Sequence, residues 1–162
     1  MLATITLYSV VLFIHVAAII VAFGVTFAYP VMTPFVTRTD PRALPVLHRA
    51  QALVGKTVIS FGMLVALLAG AYLATDADVW SEIWVSIPLL ILIVLGALGG
   101  AFFGPQETKA AELAERDIAA STGDTVELSA EYQAVAGRIA MVGAIGSLLV
   151  LIAAFFMVVK PG

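Results

Sequence analysis

The chain has 162 residues, of which 62% are hydrophobic and only 12% charged, with a net charge of −3 and a mean hydropathy of +1.08. A soluble domain carries about 25% charged residues, so a soluble surface is excluded and the composition reads as a polytopic membrane protein. The absence of cysteine excludes disulfides, iron–sulfur clusters and thiolate metal sites.

A bilayer core takes about 20 apolar residues in helical form, and four stretches reach that length: 3–29, 44–75, 79–103 and 126–159. The expected fold is therefore an all-α membrane protein, a single four-helix transmembrane domain over residues 1–162. The first span lacks a basic flank and is too long for a signal-peptide core, so it is read as a retained helix. It carries His15 in an otherwise apolar run. Counting helical steps puts Thr4, Tyr8, Val11, Ala18, Ala22, Thr26 and Tyr29 on the His15 stripe, while Phe13, Ile20 and Phe27 point elsewhere. His15 thus faces the bundle interior near the bilayer midplane.

Three readings of His15 stand side by side. One is a neutral imidazole donating to a carbonyl or hydroxyl of a neighbouring helix. The second is a metal or haem ligand, imidazole being a common iron ligand. The third is a proton or ion relay, although no Asp or Glu occupies the apolar centre of any span. His48, the other histidine, lies on the order of 20 Å or more from the midplane at 1.5 Å per residue, too far to share an iron with His15 in one protomer. Met63, near the middle of the second span, is the available soft axial ligand; a five-coordinate site or a ligand from a second protomer would also serve.

Asp40 followed by Pro41 predicts a capped start for the second helix. Asp78 is placed to cap the third, and Asp124 with Glu127 resembles a capping box opening the fourth. Basic residues set the orientation. Arg38, Arg42 and Arg49 follow span one, Lys109 and Arg116 follow span three, and the intervening "TDADVWSE" has three acids and no base. The positive-inside rule puts both basic loops in the cytoplasm and both termini outside a bacterial cytoplasmic membrane. Tyr8, Tyr72, Trp80 and Trp84 then form the outer aromatic belt. Residues 106–122 read as a solvated helical extension of span three, with Glu112 and Arg116 spaced to pair at i,i+4.

"QALVGK" (51–56) in span two matches "QAVAGR" (133–138) in span four, and "FGVTFAYP" (23–30) matches "LGGAFFGP" (98–105). The chain therefore reads as a duplicated helical hairpin, a parallel 2+2 repeat. Lys56 and Arg138 are either topological anchors that snorkel to the interface or, with Gln51 and Gln133 one turn away, the lining of a vestibule for an anion or a porphyrin propionate. Tyr29 joins these four as a ligand or pathway candidate. Gly96, Gly100 and Gly104 give small-xxx-small steps suited to close helix packing, within the bundle or between copies. Gly55, Gly62, Ala66 and Ala69 line a similar face of span two, as do Gly143 and Ser147 on span four. Pro88 permits a kink.

The "LFIH" run ending at His15, then Gly24 and "FAYP" ending at Pro30, resembles the first helix of small bacterial four-helix membrane proteins. That group comprises copper-resistance-D-like proteins, membrane protoporphyrinogen oxidases and related uncharacterised families, and the likeness is greatest to the uncharacterised branch. The resemblance implies a compact four-helix unit and, in the oxidase branch, a haem b on the first-helix histidine, a role that would fall to His15. Oxidase activity is not carried over. The function expected is a small cytoplasmic-membrane protein of unknown activity, with His15 as the candidate to hold haem or a metal. The alternatives are a channel or transporter unit using Lys56 and Arg138, or an accessory or anchor subunit. Its partners are the bilayer and a second copy or a membrane complex. No nucleophile, paired-carboxylate site, phosphate loop or nucleic-acid surface is present, so a hydrolase or a nucleic-acid-binding role is disfavoured.

Overall fold

A computed structural model describes residues 5–122 and 125–161; Ala3 and Thr4 of the first span, and Asp124, lie outside the described residues. Four long apolar helices carry the fold: α1 (Leu7–Thr39), α2 (Pro41–Asp76), α3 (Ile83–Ala120) and α4 (Ala130–Val159). No strand occurs among the described residues. This is an all-α, multi-pass four-helix membrane protein.

The helices outrun the membrane. Their 33, 36, 38 and 30 residues correspond to about 50, 54, 57 and 45 Å at 1.5 Å per residue, against a hydrocarbon core of about 30 Å. The surplus lies at the arginine end, where the four helices continue as a helical head. Helix α1 runs to Thr39 rather than stopping at Tyr29. Pro30 falls in the first turn of a helix renewed after a 3-10 turn at Val25–Phe27, where its missing N–H breaks no bond. Pro105 is accommodated in the same way, directly after a π-turn at Gly99–Phe103, so α3 continues unbroken to Ala120.

Two of the expected caps change. Asp40 does cap the start of α2, accepting from the Arg42 N–H at 3.2 Å. Asp78 does not cap α3; it takes a left-handed backbone (φ 54°) in the connecting turn, and α3 begins four residues later than expected, after Glu82. Helix α4 begins at Ala130, where the Ser129 hydroxyl accepts from the Tyr132 N–H at 3.2 Å, and Glu127 precedes it. Arg116 turns from Glu112 to Glu131, Ser129 and Asp117.

The membrane half and the head are held differently. In the membrane half α1 packs on α2, and α3 on α4, with few contacts between the two pairs. In the head α2 packs closely on α3, and α3 on α4. Leu44, Ala110, Leu113, Ala114, Tyr132 and Val135 are buried there against Val36, Leu47, Leu128, Ala136 and Ile139. Gly62 sets the closeness of α1 and α2, because a Cβ at that position would lie 2.8 Å from the Ala22 Cβ and 3.1 Å from the Ala18 carbonyl. Gly96 approaches the Met63 methyl, whereas Gly55 and Gly100 face open space. The matched hexapeptides also differ in environment: Lys56 sits in a π-turn (Gly55–Ile59) and Arg138 in regular α-helix.

Candidate functional site

His15 hydrogen-bonds across the α1–α2 interface, its Nδ1 lying 2.8 Å from the Ala66 carbonyl oxygen. A carbonyl can only accept, so Nδ1 carries the proton, and in the neutral ring Nε2 is left with a lone pair. No protein group bonds to that nitrogen among the described residues. Gly70, one turn along α2, makes room for the ring; a Cβ there would stand 2.9 Å from Cε1.

The ring lines a cavity of about 270 Å³ between the two helix pairs, close to the lower end of the roughly 300–1,000 Å³ of ordinary ligand pockets. Its walls include Phe23 and Gly70 from the first pair and Pro88, Leu92 and Met157 from the second. The cavity runs from the tryptophan end, where Trp80 lines it, past His15 to Phe23 and Leu95 on the head side. The Trp80 indole N–H donates to the Thr75 hydroxyl at 3.1 Å, fixing the ring at the mouth. No described residue of the head lines the cavity. On the head side of His15 the cavity follows Ile19, Ile20 and Phe23, while the neighbouring stripe of small residues is closed, with Ala18 and Ala22 packed on Gly62.

A second polar cluster occupies the head. His48 and Glu107 are 1% and 4% exposed, with Nδ1 and Oε2 2.6 Å apart. The His48 Nε2 lies 2.9 Å from the Tyr132 hydroxyl, which also engages Thr37. The Thr37 hydroxyl donates to the Thr33 carbonyl, so the Tyr132 hydroxyl donates to Thr37 and accepts from the His48 Nε2–H. The proton between Nδ1 and Oε2 then belongs to an imidazolium–carboxylate pair or to its neutral equivalent, and either form leaves the pair without net charge. Carboxylate, imidazole and hydroxyl follow the order used to activate nucleophiles. Here all three are buried, and the cluster ties α1, α2, α3 and α4 together. Nearer the end of the head, burial pushes the Asp117 carboxyl up. Hydrogen bonds from the Ser129 side chain and backbone, and from Arg116, outweigh that and hold it below the ordinary aspartate range.

The remaining predicted residues do not converge on His15. The Met63 methyl packs against Gly96, and Met63 is not among the residues lining the cavity. Tyr29 is half-buried, its hydroxyl enclosed without a hydrogen-bond partner among the described residues. Gln51 is buried and donates to the Thr33 hydroxyl at 3.3 Å. Lys56 and Arg138 are exposed, and so is Gln133, which donates to the Leu128 carbonyl. The structure thus does not gather these cations into an enclosed vestibule.

Gly70, Glu107 and Tyr132 escaped the sequence reading. A signal for Gly70 existed, a glycine on the apolar span opposite the histidine, but its partner could be named only once the register of α1 on α2 was known. Among the described residues no three His, Cys, Asp or Glu side chains come together to hold a metal ion. Comparison with family models, curated proteins and solved structures finds no match.

Proposed function

We propose that the chain is a ligand-binding membrane protein whose site is the cavity between its two helix pairs and whose working atom is the His15 Nε2. The observation that carries this is the fixed tautomer: Nδ1–H is committed to the Ala66 carbonyl, and the free lone pair lines an otherwise apolar space. A histidine held by a backbone carbonyl in this way is oriented as metal-ligating histidines are. With the basic end in the cytoplasm, the tryptophan mouth of the cavity faces outward.

The haem reading meets half of what haem requires. An imidazole in the right tautomer and apolar walls are present, so His15 would be the axial ligand. The lining supplies no cation for the propionates, and Met157 is the lining side chain of a type that could serve as a second axial ligand. A metal without its own organic ligands would find one imidazole and one thioether where it needs several donors. The channel reading draws no support from a lining that is apolar apart from His15 and the Trp80 indole.

The test is to purify the protein in mild detergent from haem-replete cells, record its visible spectrum, and identify what co-extracts from wild type, His15→Ala and Ala71→Phe. Ala71 lines the cavity, so its replacement by Phe fills the space. The expected result is a molecule present in wild type and depleted in both variants, with a Soret band if it is haem. Indistinguishable extracts from all three proteins would refute the proposal.

A further inference from the structure

If the cavity is a ligand site, its chemistry narrows the ligand, because its middle and its mouth ask for different things. Partway along it the His15 Nε2 offers only a lone pair, so whatever reaches it must bring a donor hydrogen or an electrophilic centre. Elsewhere the walls are apolar, and among the described residues His15 is the sole titratable one lining the space.

At the outer end the charge is one-sided. Asp76 and Asp78 are exposed and Glu82 is partly buried, all in or beside the turn joining α2 to α3. They flank Ala74, Trp80 and Val85, which line the cavity. Against these three carboxylates stands, among the described residues, one cation, Lys160, whose ammonium lies 4.7 Å from the centre of the Trp84 ring. Trp80 is 46% exposed and presents an aromatic surface of the kind that attracts cations. An anionic headgroup would meet carboxylates at this mouth, whereas a cationic one would meet attraction from both the acids and the indole.

We propose that the cavity takes a lipophilic amine. Its apolar body fills the space between the helix pairs, its ammonium group rests at the mouth among Asp76, Asp78, Glu82 and Trp80, and a hydrogen-bond donor deeper in the cavity reaches the His15 Nε2. This rests on the cavity being a ligand site, and it goes beyond that reading by fixing the sign of the ligand's charge and where along the cavity it lies. It also accounts for the absence of a propionate-binding cation.

The experiment uses the full chain in nanodiscs of zwitterionic lipid, with tryptophan fluorescence reporting binding and empty nanodiscs correcting for partition. The probes are decylammonium, decanol, decanoate and 10-hydroxydecylammonium. Decylammonium should bind at least about fivefold tighter than decanol, the scale of a surface ion pair, and decanoate should be weakest. The Asp76→Asn/Asp78→Asn/Glu82→Gln variant should lose that order, as should wild type near 1 M salt, where charges are screened beyond roughly 3 Å. The added hydroxyl should improve binding a few-fold in wild type and not in His15→Ala. Decanoate binding as tightly as decylammonium, or a preference that survives neutralisation of the three acids, overturns the inference. Equal binding of all heads that Ala71→Phe abolishes would overturn the amine assignment and leave the cavity reading standing. No binding of any probe overturns the amine assignment whatever the co-extraction test returns.

Discussion

The position of His15 can be tested through Gly70, a residue with no polar chemistry of its own. In Gly70→Ala the new methyl would lie 2.9 Å from the imidazole Cε1 and 3.2 Å from Nδ1, roughly 0.6–1 Å inside the separation at which carbon atoms attract. The ring must retreat, and the 2.8 Å bond to the Ala66 carbonyl is stretched or lost. Overpacking of this kind costs about 1–3 kcal/mol, and an intramembrane hydrogen bond contributes about 0.6 kcal/mol, at most about 1.7. The better helix propensity of alanine returns about 1 kcal/mol, so the net loss should be about 1–2 kcal/mol. In a His15→Ala background the obstacle is gone, and the same substitution should be neutral or stabilising by up to about 1 kcal/mol. Reversible unfolding in mixed micelles of the four proteins gives the coupling directly, and about 2 kcal/mol is expected. A Gly70→Ala cost below about 0.5 kcal/mol, or an equal cost in both backgrounds, would mean that the ring does not lie against Gly70.

Three further outcomes follow from the same geometry. Glu107→Gln should destabilise the head by about 3 kcal/mol or more, since one partner of a buried pair is removed, and Tyr132→Phe by about 1–3 kcal/mol as the His48 Nε2 loses its partner; hydrogen exchange of residues 104–120 reads both. Asp117 lies in the head, beyond the apolar run that ends at Phe103. Its carboxyl is held below the ordinary aspartate value of 3.8, so its contribution is present above that value and is lost as the pH falls through the lower folded one. Protection of the Ser129–Tyr132 amides should therefore drop in acid in wild type, while Asp117→Asn should be weaker at neutral pH and lack that acid step. Gly62→Val should separate α1 from α2 and abolish ligand retention without touching a cavity-lining residue; retention equal to wild type would show that the close approach at Ala18 and Ala22 is not needed.

The number of spans, their helical nature and the inward face of His15 were legible in the sequence, because hydropathy and the 3.6-residue period act locally. The ends of the helices were less so. Pro30 and Pro105 read as stops, yet each falls in a first turn where a proline is tolerated, a distinction that depends on the 3-10 turn and the π-turn just before them. The stripe through Ala18 and Ala22 was identified correctly as a face, but its small residues serve the contact with Gly62 rather than a polar path. The head cluster could not be read at all. His48 lies 59 residues from Glu107 and 84 from Tyr132, and nothing local distinguishes these residues from a solvated helix surface. Lys56 and Arg138 were paired by a similar local sequence as anchors or as a vestibule lining; the structure leaves both exposed, one in a π-turn and one in regular helix, a difference that depends on packing rather than on local sequence.

The division between head and membrane half has a physical basis that bears on the cavity. Within lipid there is no hydrophobic drive to press helices together, since the acyl chains are as apolar as the side chains, and association rests on close packing and hydrogen bonds. The α1–α2 pair has both, through Gly62 and the His15–Ala66 bond. The α3–α4 pair packs too, with Leu95 in ordinary contact range of Gly146. Between the pairs the membrane half offers little of either, and apolar walls there can face lipid without penalty. The head extends into the region where water makes burial favourable, and it is there that Leu44, Leu113, Tyr132 and Val135 join residues from both pairs. The head therefore holds the pairs together while the membrane half can remain apart, so an apolar cavity beside His15 does not have to be stabilised by its own walls. Loosening the head should consequently alter the width of the cavity before it separates either helix pair, and an effect of Glu107→Gln on ligand retention with the His15–Gly70 coupling unchanged would be the signature of that arrangement.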